Sequence, residues 1–389
     1  IQAKSVDSDL SVPIDPIMNS GEEISHEILN ILEKAERPLI IAGNGIHMSN
    51  YERKFMDFVK RFRFPVVCTW NATDLFDSND PLYMGSIGLF GERAGNLAVQ
   101  RADVILIIGS RLSVPSTGYT RDDFAPNATR IMVDLDENEV RKHTLNIHHS
   151  YIGDLRNFIS KLDDHLKPLN VDPWLEKLAI WKARYSVFSE PHTRNDHSIN
   201  SYDFMNKLGE VISDDVIVTD MGTSFTCTMQ ALRNNGRNRL FTSSALCSMG
   251  FGLPGAIGAC TACPDRRVIC IAGDGGMQMN IQELQTVVTF NLPVKIIILN
   301  NNGYLAISLM QDNLFGKRFG SDVNSPDFAK IAQAYGMPGY KLNNPSDVDK
   351  IKDLLDAPGP ALIEVNMTRD QLIIPRVMSS RNEETGQIV

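Results

Sequence analysis

The feature that most constrains the fold is an alternation of short apolar runs with longer amphipathic segments. Pro38–Gly43, Val104–Gly109 and Val294–Leu299 are apolar runs of strand length, whereas Tyr51–Phe62 has the periodicity of an amphipathic helix. Further strand-like runs are Pro65–Thr69, Ile131–Asp134, Val216–Asp220, Arg267–Gly273 and Ala361–Val365. Such alternation predicts an α/β fold of two tandem domains, each a mostly parallel sheet flanked by helices.

Composition excludes several classes of protein. The chain has 389 residues, 43% hydrophobic and 22% charged, which indicates an ordinary globular protein of about two domains. The net charge is −9 and no basic stripe is present, so we expect no nucleic-acid partner. No apolar run approaches the roughly 20 residues of a membrane span. The six cysteines lack the spacing of a disulfide framework, and the CxxC at Cys260 and Cys263 has no second CxxC or histidine pair beside it. We therefore expect packed free thiols, which fit a cytoplasmic protein.

The pattern divides the chain into five parts. Residues 1–20 are polar with two prolines and are interpreted as a linker from a preceding domain. A central Rossmann-like domain is expected at 21–165, a connector at 166–197, and a second α/β domain at 198–370. Residues 371–389 are interpreted as a truncated tail, because the run has no closing element of its own.

Polar residues follow two of the predicted strands. Gly273-Asp274-Gly275 ends one strand and Asn301 follows the next. Open α/β sheets bind ligands at the carboxyl edge, so the two side chains should lie together, and a following helix from Gly276 should favour a phosphate. A carboxylate, an amide oxygen and a backbone carbonyl suit Mg²⁺. Each motif alone also fits a plain turn.

These residues resemble a known family. Gly273–Glu283 and Asn291–Val294 are similar to acetohydroxyacid (acetolactate) synthases and pyruvate decarboxylases, which use thiamine diphosphate and carry GDG followed later by NN. The resemblance implies that Asp274 and Asn301 are Mg²⁺ ligands and that Gly303 adds its carbonyl. The cofactor contacts that it implies in the same segments are Gly273, Gly275, Gly276 and Tyr304.

A second block, Ser248–Gly258, resembles the stretch that places a bulky apolar residue under the cofactor. Met249 occupies that position. The resemblance implies that Met249 is a wedge that bends thiamine diphosphate and so has a catalytic role. The alternative is that Met249 fills the core and that the glycines allow close helix packing.

A third block, Asp220–Ser224, follows a predicted strand and resembles the family's loop that touches the diphosphate. Gly222, Thr223 and Ser224 are the contacts that the resemblance implies. The alternative, which is compatible with this one, is a helix N-cap at Thr223 or Ser224.

The first domain resembles the family's central domain, which holds FAD in acetolactate synthases. Arg111, Asp134 and Asp136 are the implied flavin contacts. Leu89-Phe90-Gly91 stands where the synthases carry Met-His-Gly, and Leu112-Ser113 stands for Phe-Asp. The alternative is a structural domain without flavin, as in the decarboxylases.

The family's remaining domain, which carries a cofactor-activating glutamate, has no counterpart in the 389 residues. The resemblance implies that it precedes Ile1 and that two subunits share each site, so we expect a homodimer or homotetramer. The implied reaction is decarboxylation of a 2-keto acid such as pyruvate, with carboligation to a second carbonyl. Met310-Gln311 replaces the synthases' Gln-Trp pair, which leaves the acceptor open. The alternatives are a simple 2-keto-acid decarboxylase and a non-catalytic cofactor-binding homologue.

Overall fold

The structure is a computed structural model that describes residues 25–142 and 145–377. Within them, two six-stranded sheets follow one another along the chain, flanked by helices, and all pairings between their strands are parallel. The predicted α/β fold with two tandem domains is confirmed. The interpreted linker and most of the tail lie outside the described residues, so the domain boundaries stay predictions.

Twelve strands form the two sheets. In chain order they are β1 (Pro38–Ala42), β2 (Val66–Cys68), β3 (Tyr83–Ser86), β4 (Val104–Ile108), β5 (Thr129–Asp134), β6 (His149–Ile152), β7 (Val216–Thr219), β8 (Arg239–Phe241), β9 (Val268–Gly273), β10 (Val294–Asn300), β11 (Gly339–Leu342) and β12 (Ala361–Asn366). The first sheet has the order β3-β2-β1-β4-β5-β6 and the second has the order β11-β12-β10-β9-β7-β8.

Helices join most of these strands. They are α1 (His26–Lys34), α2 (Gly45–Met48), α3 (Glu52–Phe62), α4 (Arg93–Arg101), α5 (Val114–Thr117), α6 (Glu137–Arg141), α7 (Leu155–His165), α8 (Asp172–Arg184), α9 (Ser201–Val211), α10 (Thr223–Ala231), α11 (Gly252–Ala262), α12 (Asp274–Met279), α13 (Leu284–Thr289), α14 (Leu305–Phe315), α15 (Phe328–Ala334) and α16 (Ile351–Asp356). Among the described residues, no helix combines the length and apolar character needed to cross a membrane.

Burial on both faces explains the continuous apolar runs. In β10, Ile296 and Ile298 pack into the core on one side of the second sheet, whereas Ile297 and Leu299 pack into the core on the other. Successive side chains of a strand point to opposite faces, so a strand covered on both sides is apolar throughout. The first sheet is built in the same way, with β1 and β4 at its centre.

The sequence did not predict four of the strands, and all four are sheet edges: β3, β6, β8 and β11. They are short, and β6 and β11 are partly exposed. Such segments lack the apolar run by which the central strands were recognised.

The sequence pattern predicts a single helix over Met277–Phe290, and this prediction is wrong. The structure has α12, a 3₁₀ turn at Ile281–Glu283, and then α13. Asn280 has a non-helical φ of −134°, and its side-chain amide donates to the carbonyl of Gly250 at 2.7 Å. The chain leaves the helical path at Asn280, where this contact to a distant loop is made.

Each sheet has one point at which the strand order reverses. In the first sheet it lies between β1 and β4, and in the second it lies between β7 and β9. The loops that leave such a pair of strands diverge and open a crevice at the carboxyl edge, where α/β proteins bind ligands. The fold therefore offers two crevices, one in each domain.

A short 3₁₀ segment of the first domain, Trp70–Leu75, packs against the second domain. The ring of Trp70 packs edge-on against Phe225, with 4.4 Å between ring centroids. The carboxylate of Asp74 is fully buried, and it accepts bonds from Arg239 at 2.6 Å and from His47 at 2.9 Å. The contacts of Asp74 thus reach both domains.

The ionisation of Asp74 depends on these contacts. Burial raises the pKa of Asp74, but the bonds from His47 and Arg239 outweigh burial and hold the pKa below its ordinary value. A carboxyl group whose pKa is lowered by folding stabilises the protein above its unfolded pKa, and this stability is lost as the pH falls through the folded pKa.

We predict that Asp74→Ala lowers the free energy of unfolding by about 3–5 kcal/mol at pH 7, because the Arg239 guanidinium loses its buried partner. The deficit should shrink as the pH falls from the ordinary pKa of an unfolded aspartate, about 3.9, through the lower folded pKa of Asp74. Denaturant unfolding at several pH values measures this loss of free energy of unfolding. Asp57→Ala is the control, since Asp57 is exposed. A loss that does not change with pH would contradict the assignment.

Candidate metal centre

Asp274 and Asn301 leave neighbouring strands at one edge of the second sheet. The register pairs Gly273 of β9 with Leu299 of β10. Asp274 is 2% exposed and Asn301 is 7% exposed. The backbone N–H of Gly303 donates to Asn301 Oδ1 at 3.2 Å and also lowers the pKa of the Asp274 carboxyl by hydrogen bonding. The structure therefore brings together the three residues that the sequence predicts as metal ligands.

Among the described residues, the carboxylate of Asp274 has no cationic partner. Burial raises the pKa of Asp274, and a bond of 2.5 Å from Ser325 Oγ opposes this effect. Within the described residues, no Lys, Arg or His nitrogen lies within 4.0 Å of it. A buried carboxylate without a cation is costly. The site therefore fits an added cation, with the hard oxygen ligands that Mg²⁺ prefers.

The described part of the chain contains no cluster of three or more His, Cys, Asp or Glu side chains suited to a metal. A site built on Asp274 would therefore rely on one carboxylate and on neutral oxygens. An amide such as that of Asn301 and a backbone carbonyl such as that of Gly303 supply such oxygens.

Polar contacts of Asn300 hold the start of the loop that carries Asn301. The side-chain amide of Asn300 donates to Glu364 Oε1 at 2.8 Å, and Asn300 Oδ1 accepts from the backbone of Asn302 at 3.1 Å. Glu364 lies on β12 and is 7% exposed. The sequence pattern did not point to Glu364 or Ser325, because both lie far along the chain from the motifs that they support.

Close packing explains two of the glycines in the first motif. A Cβ on Gly275 would lie 2.2 Å from Cε1 of Tyr304, so the tyrosine ring covers this glycine. A Cβ on Gly276 would lie 2.9 Å from Oδ2 of Asp220. Gly273 has open space, with Ser224 Oγ 4.0 Å away as its nearest neighbour. The helix expected from Gly276 begins at Asp274 and has only six residues.

Asp220, which the sequence analysis did not select, is the central carboxylate of the crevice. It follows β7, is 1% exposed, and accepts from the backbone N–H of Met221 at 2.6 Å and of Gly250 at 3.0 Å. A third bond, from Gly252, is 3.4 Å long. Burial raises the pKa of Asp220, and these backbone bonds oppose that effect. These bonds join the loop after β7 to the loop at the start of α11.

Met249 lies in the loop that Asp220 holds. The N–H of Gly250 binds Asp220 and the carbonyl of Gly250 accepts from Asn280, so the residue after Met249 is fixed from both sides. Met249 is 41% exposed, and it does not fill the core. Close packing does apply to a later glycine of the block, since a Cβ on Gly255 would lie 3.0 Å from Val218.

The third predicted block begins α10 beside this crevice. Gly222 has a φ of +84°, which favours glycine, and nothing lies within 4 Å of its Cβ position. Gly222 is also the N-cap, and its carbonyl accepts from Thr226 at 3.1 Å. The expected cap at Thr223 or Ser224 is therefore wrong: Ser224 Oγ donates to the carbonyl of Met221 at 3.1 Å instead.

The crevice of the first sheet is a cleft of about 750 Å³. Arg111, Asp134 and Asp136, which the sequence predicts as flavin contacts, all line it, and Leu246 of the second domain reaches its rim. The Arg111 side chain is 65% exposed, with Glu139 as a partner at 3.4 Å. Asp136 caps α6 through the N–H of Asn138. Burial raises the pKa of Asp134.

Each of the two domains matches a known protein family. The thiamine pyrophosphate enzyme central domain matches residues 25–162, and the thiamine pyrophosphate enzyme C-terminal TPP-binding domain matches residues 220–365. The chain is 31% identical to the acetolactate synthase large subunit of Parasynechococcus marenigrum (strain WH8102) over 90% of its own length and 57% of the relative. It is also 31% identical to the acetolactate synthase isozyme 2 large subunit of Escherichia coli (strain K12), over 89% of its own length.

The chain spans only part of these relatives, 57% of the first and 63% of the second. A third relative, the probable acetolactate synthase large subunit of Methanococcus aeolicus, is 30% identical over 86% of this chain and 59% of its own length.

Proposed function

This chain holds the central domain and the C-terminal TPP-binding domain of the thiamine pyrophosphate enzymes, and we propose that it binds thiamine diphosphate through Mg²⁺ at the second sheet. Asp274, Asn301 and the carbonyl of Gly303 would hold the metal. The observation that carries this proposal is the buried carboxylate of Asp274, which has no cationic partner among the described residues.

The surrounding residues support the same assignment. The first turn of α10 carries backbone N–H groups without helical partners, and the open space at Gly222 gives a phosphate access to them. Gly273 and Gly275 flank Asp274 with little side-chain bulk. Exposed Met249 stands beside the crevice, where an apolar side chain could support the thiazolium ring.

We propose a division of tasks among these residues. When bound, thiamine diphosphate supplies the carbon nucleophile that releases CO₂ from a 2-keto acid. Asp274 and Asn301 anchor the diphosphate end through the metal, Ser325 orients the Asp274 carboxylate, and Met249 sets the conformation of the cofactor. The loop contacts of Asp220 keep these groups in register.

The reaction that we propose is decarboxylation of a 2-keto acid, with pyruvate as the expected substrate, followed by carboligation to a second carbonyl. The similarity to proteins named acetolactate synthase, over about nine-tenths of this chain, favours carboligation over simple decarboxylation.

Gln311 fixes the loop after α14 by two bonds to the backbone of Phe319, at 2.9 and 3.0 Å. Met310 beside it is 41% exposed and would contact the acceptor.

We also propose that the active protein is a cytoplasmic homo-oligomer, at least a dimer. Two exposed apolar side chains, Met249 and Met279, lie beside the proposed site, since Met279 Cβ is 2.7 Å from the position that a Cβ on Gly250 would take. Apolar groups clustered in this way are typical of surfaces that another protein surface covers. A further domain or subunit would cover the cofactor there.

For the cleft of the first sheet we propose FAD as the ligand. The strand order β3-β2-β1-β4-β5-β6 is that of dinucleotide-binding sheets, and the cleft lies at the reversal between β1 and β4. Its volume suits a ligand of this size. The exposed guanidinium of Arg111 is placed to bind a phosphate, whereas Asp136 is engaged in capping α6.

We predict that Asp274→Ala abolishes Mg²⁺-dependent binding of thiamine diphosphate and that Asn301→Ala weakens it strongly. Ser325→Ala should weaken binding by about tenfold, the effect expected when a ligand loses its orienting partner. Calorimetric titrations with and without EDTA measure these affinities, and Asp265→Ala is the control, since Asp265 is exposed. Parent-like binding by Asp274→Ala would show that the metal lies elsewhere.

We predict that the chain takes up FAD and that Arg111→Ala weakens this binding about tenfold, through loss of charge-assisted hydrogen bonds. Quenching of flavin fluorescence measures the affinity. Arg121→Ala is the matched control, since Arg121 is exposed and does not line the cleft. If the parent protein leaves flavin fluorescence unchanged, the first domain is a structural domain without flavin.

A further inference from the structure

A second cavity lies between the domains, apart from the metal centre and from the flavin cleft. This interdomain cavity has a volume of about 420 Å³ and is lined by residues of the first domain, of α8 and of the segment around the end of α10. Its lining includes none of the residues proposed to hold Mg²⁺, thiamine diphosphate or FAD. A cavity of this size can hold a small organic molecule.

Arg233 supplies an unpaired cation to the interdomain cavity. Its guanidinium lies over the ring of Phe188, 4.6 Å from the centroid. Among residues 25–142 and 145–377, no carboxylate lies within 4.0 Å of it and no acceptor is within hydrogen-bond distance. An arginine presents five N–H donors in a planar fork, and that fork suits a carboxylate.

Lys182 adds a second positive charge. Its ammonium group donates to the carbonyls of Asp80 at 2.9 Å and Tyr83 at 2.7 Å. It forms no ion pair within the part of the chain that the structure describes. Glu92, Asp80 and Asp77 act on Lys182 electrostatically, and of these three only Glu92 lines the cavity.

Glu92 is the carboxyl group that lines the cavity. Its Oε1 accepts from the N–H of Ser86 at 3.3 Å, and it forms no ion pair with the described residues, Arg233 and Lys182 included. Burial raises the pKa of Glu92 to about 7. Near neutral pH, Glu92 is therefore only partly charged, and the lining carries a net positive charge.

The remaining walls are mixed, and both domains contribute to them. Apolar side chains come from Pro81, Ala179, Ala183, Met229, Leu232 and Leu240, and uncharged polar ones from Thr73, Ser78, Asn79, Ser186, Thr228, Gln230 and Asn234. A cationic fork beside the apolar group of Met229, Leu232 and Leu240 is complementary to a molecule with an anionic end and an apolar body.

We propose that the interdomain cavity is a binding site for a small organic carboxylate, with its carboxylate group at Arg233 and its apolar body between Met229 and Leu240. This inference does not rest on the proposed cofactor chemistry, because no residue is shared. Binding would place one ligand against both domains.

Benzoate, with neutral benzamide as its matched analogue, tests this proposal by saturation-transfer NMR on the whole chain. We expect benzoate to bind and benzamide to bind about tenfold more weakly, since a hydrogen bond to a charged group is the stronger one. Arg233→Met should weaken benzoate binding about tenfold, whereas Arg237→Met, which removes an exposed arginine nearby, should not.

Glu92→Gln provides a second variant that keeps the shape of the cavity. Removal of the partial negative charge should strengthen benzoate binding several-fold. Equal binding of benzoate and benzamide, equal losses in Arg233→Met and Arg237→Met, or unchanged binding in Glu92→Gln would each overturn the proposal.

Discussion

The site depends on one buried carboxylate, that of Asp220. It lies at the end of β7, where the strand order of the second sheet reverses, and it accepts backbone N–H groups from its own loop and from the loop of Met249. It also fills the space that a side chain at Gly276 would need. Three stretches that are distant in sequence are thus held at one point, and the other groups of the crevice are placed relative to it.

Asp220 and Asp274 are two buried carboxylates with opposite uses. Burial raises the pKa of each. Asp220 is surrounded by backbone donors, which stabilise its charge without a cation. Within the described ranges, Asp274 receives one side-chain bond, from Ser325, together with weaker backbone contacts. Asp220 is therefore suited to hold loops together, and we propose Asp274 as the metal ligand.

The sequence predicted the parts of the fold and site that local pattern controls. Central strands are buried on both faces and are recognised as apolar runs, and Asp274 and Asn301 follow directly from the ends of two such strands. The edge strands were missed because they are short and lack a continuous apolar run. Asp220 was missed as a structural centre, and the break at Asn280 was not foreseen, because both residues act through Gly250, which only the tertiary structure brings near.

The central claim is that a divalent metal binds where β9 and β10 end. Crystals grown with thiamine diphosphate and Mn²⁺, which shares the preference of Mg²⁺ for oxygen ligands, test it through anomalous scattering. The account predicts one strong anomalous peak within about 2.5 Å of an Asp274 carboxylate oxygen, Asn301 Oδ1 and the carbonyl oxygen of Gly303. Bound cofactor whose metal peak lies away from these three oxygens would contradict it.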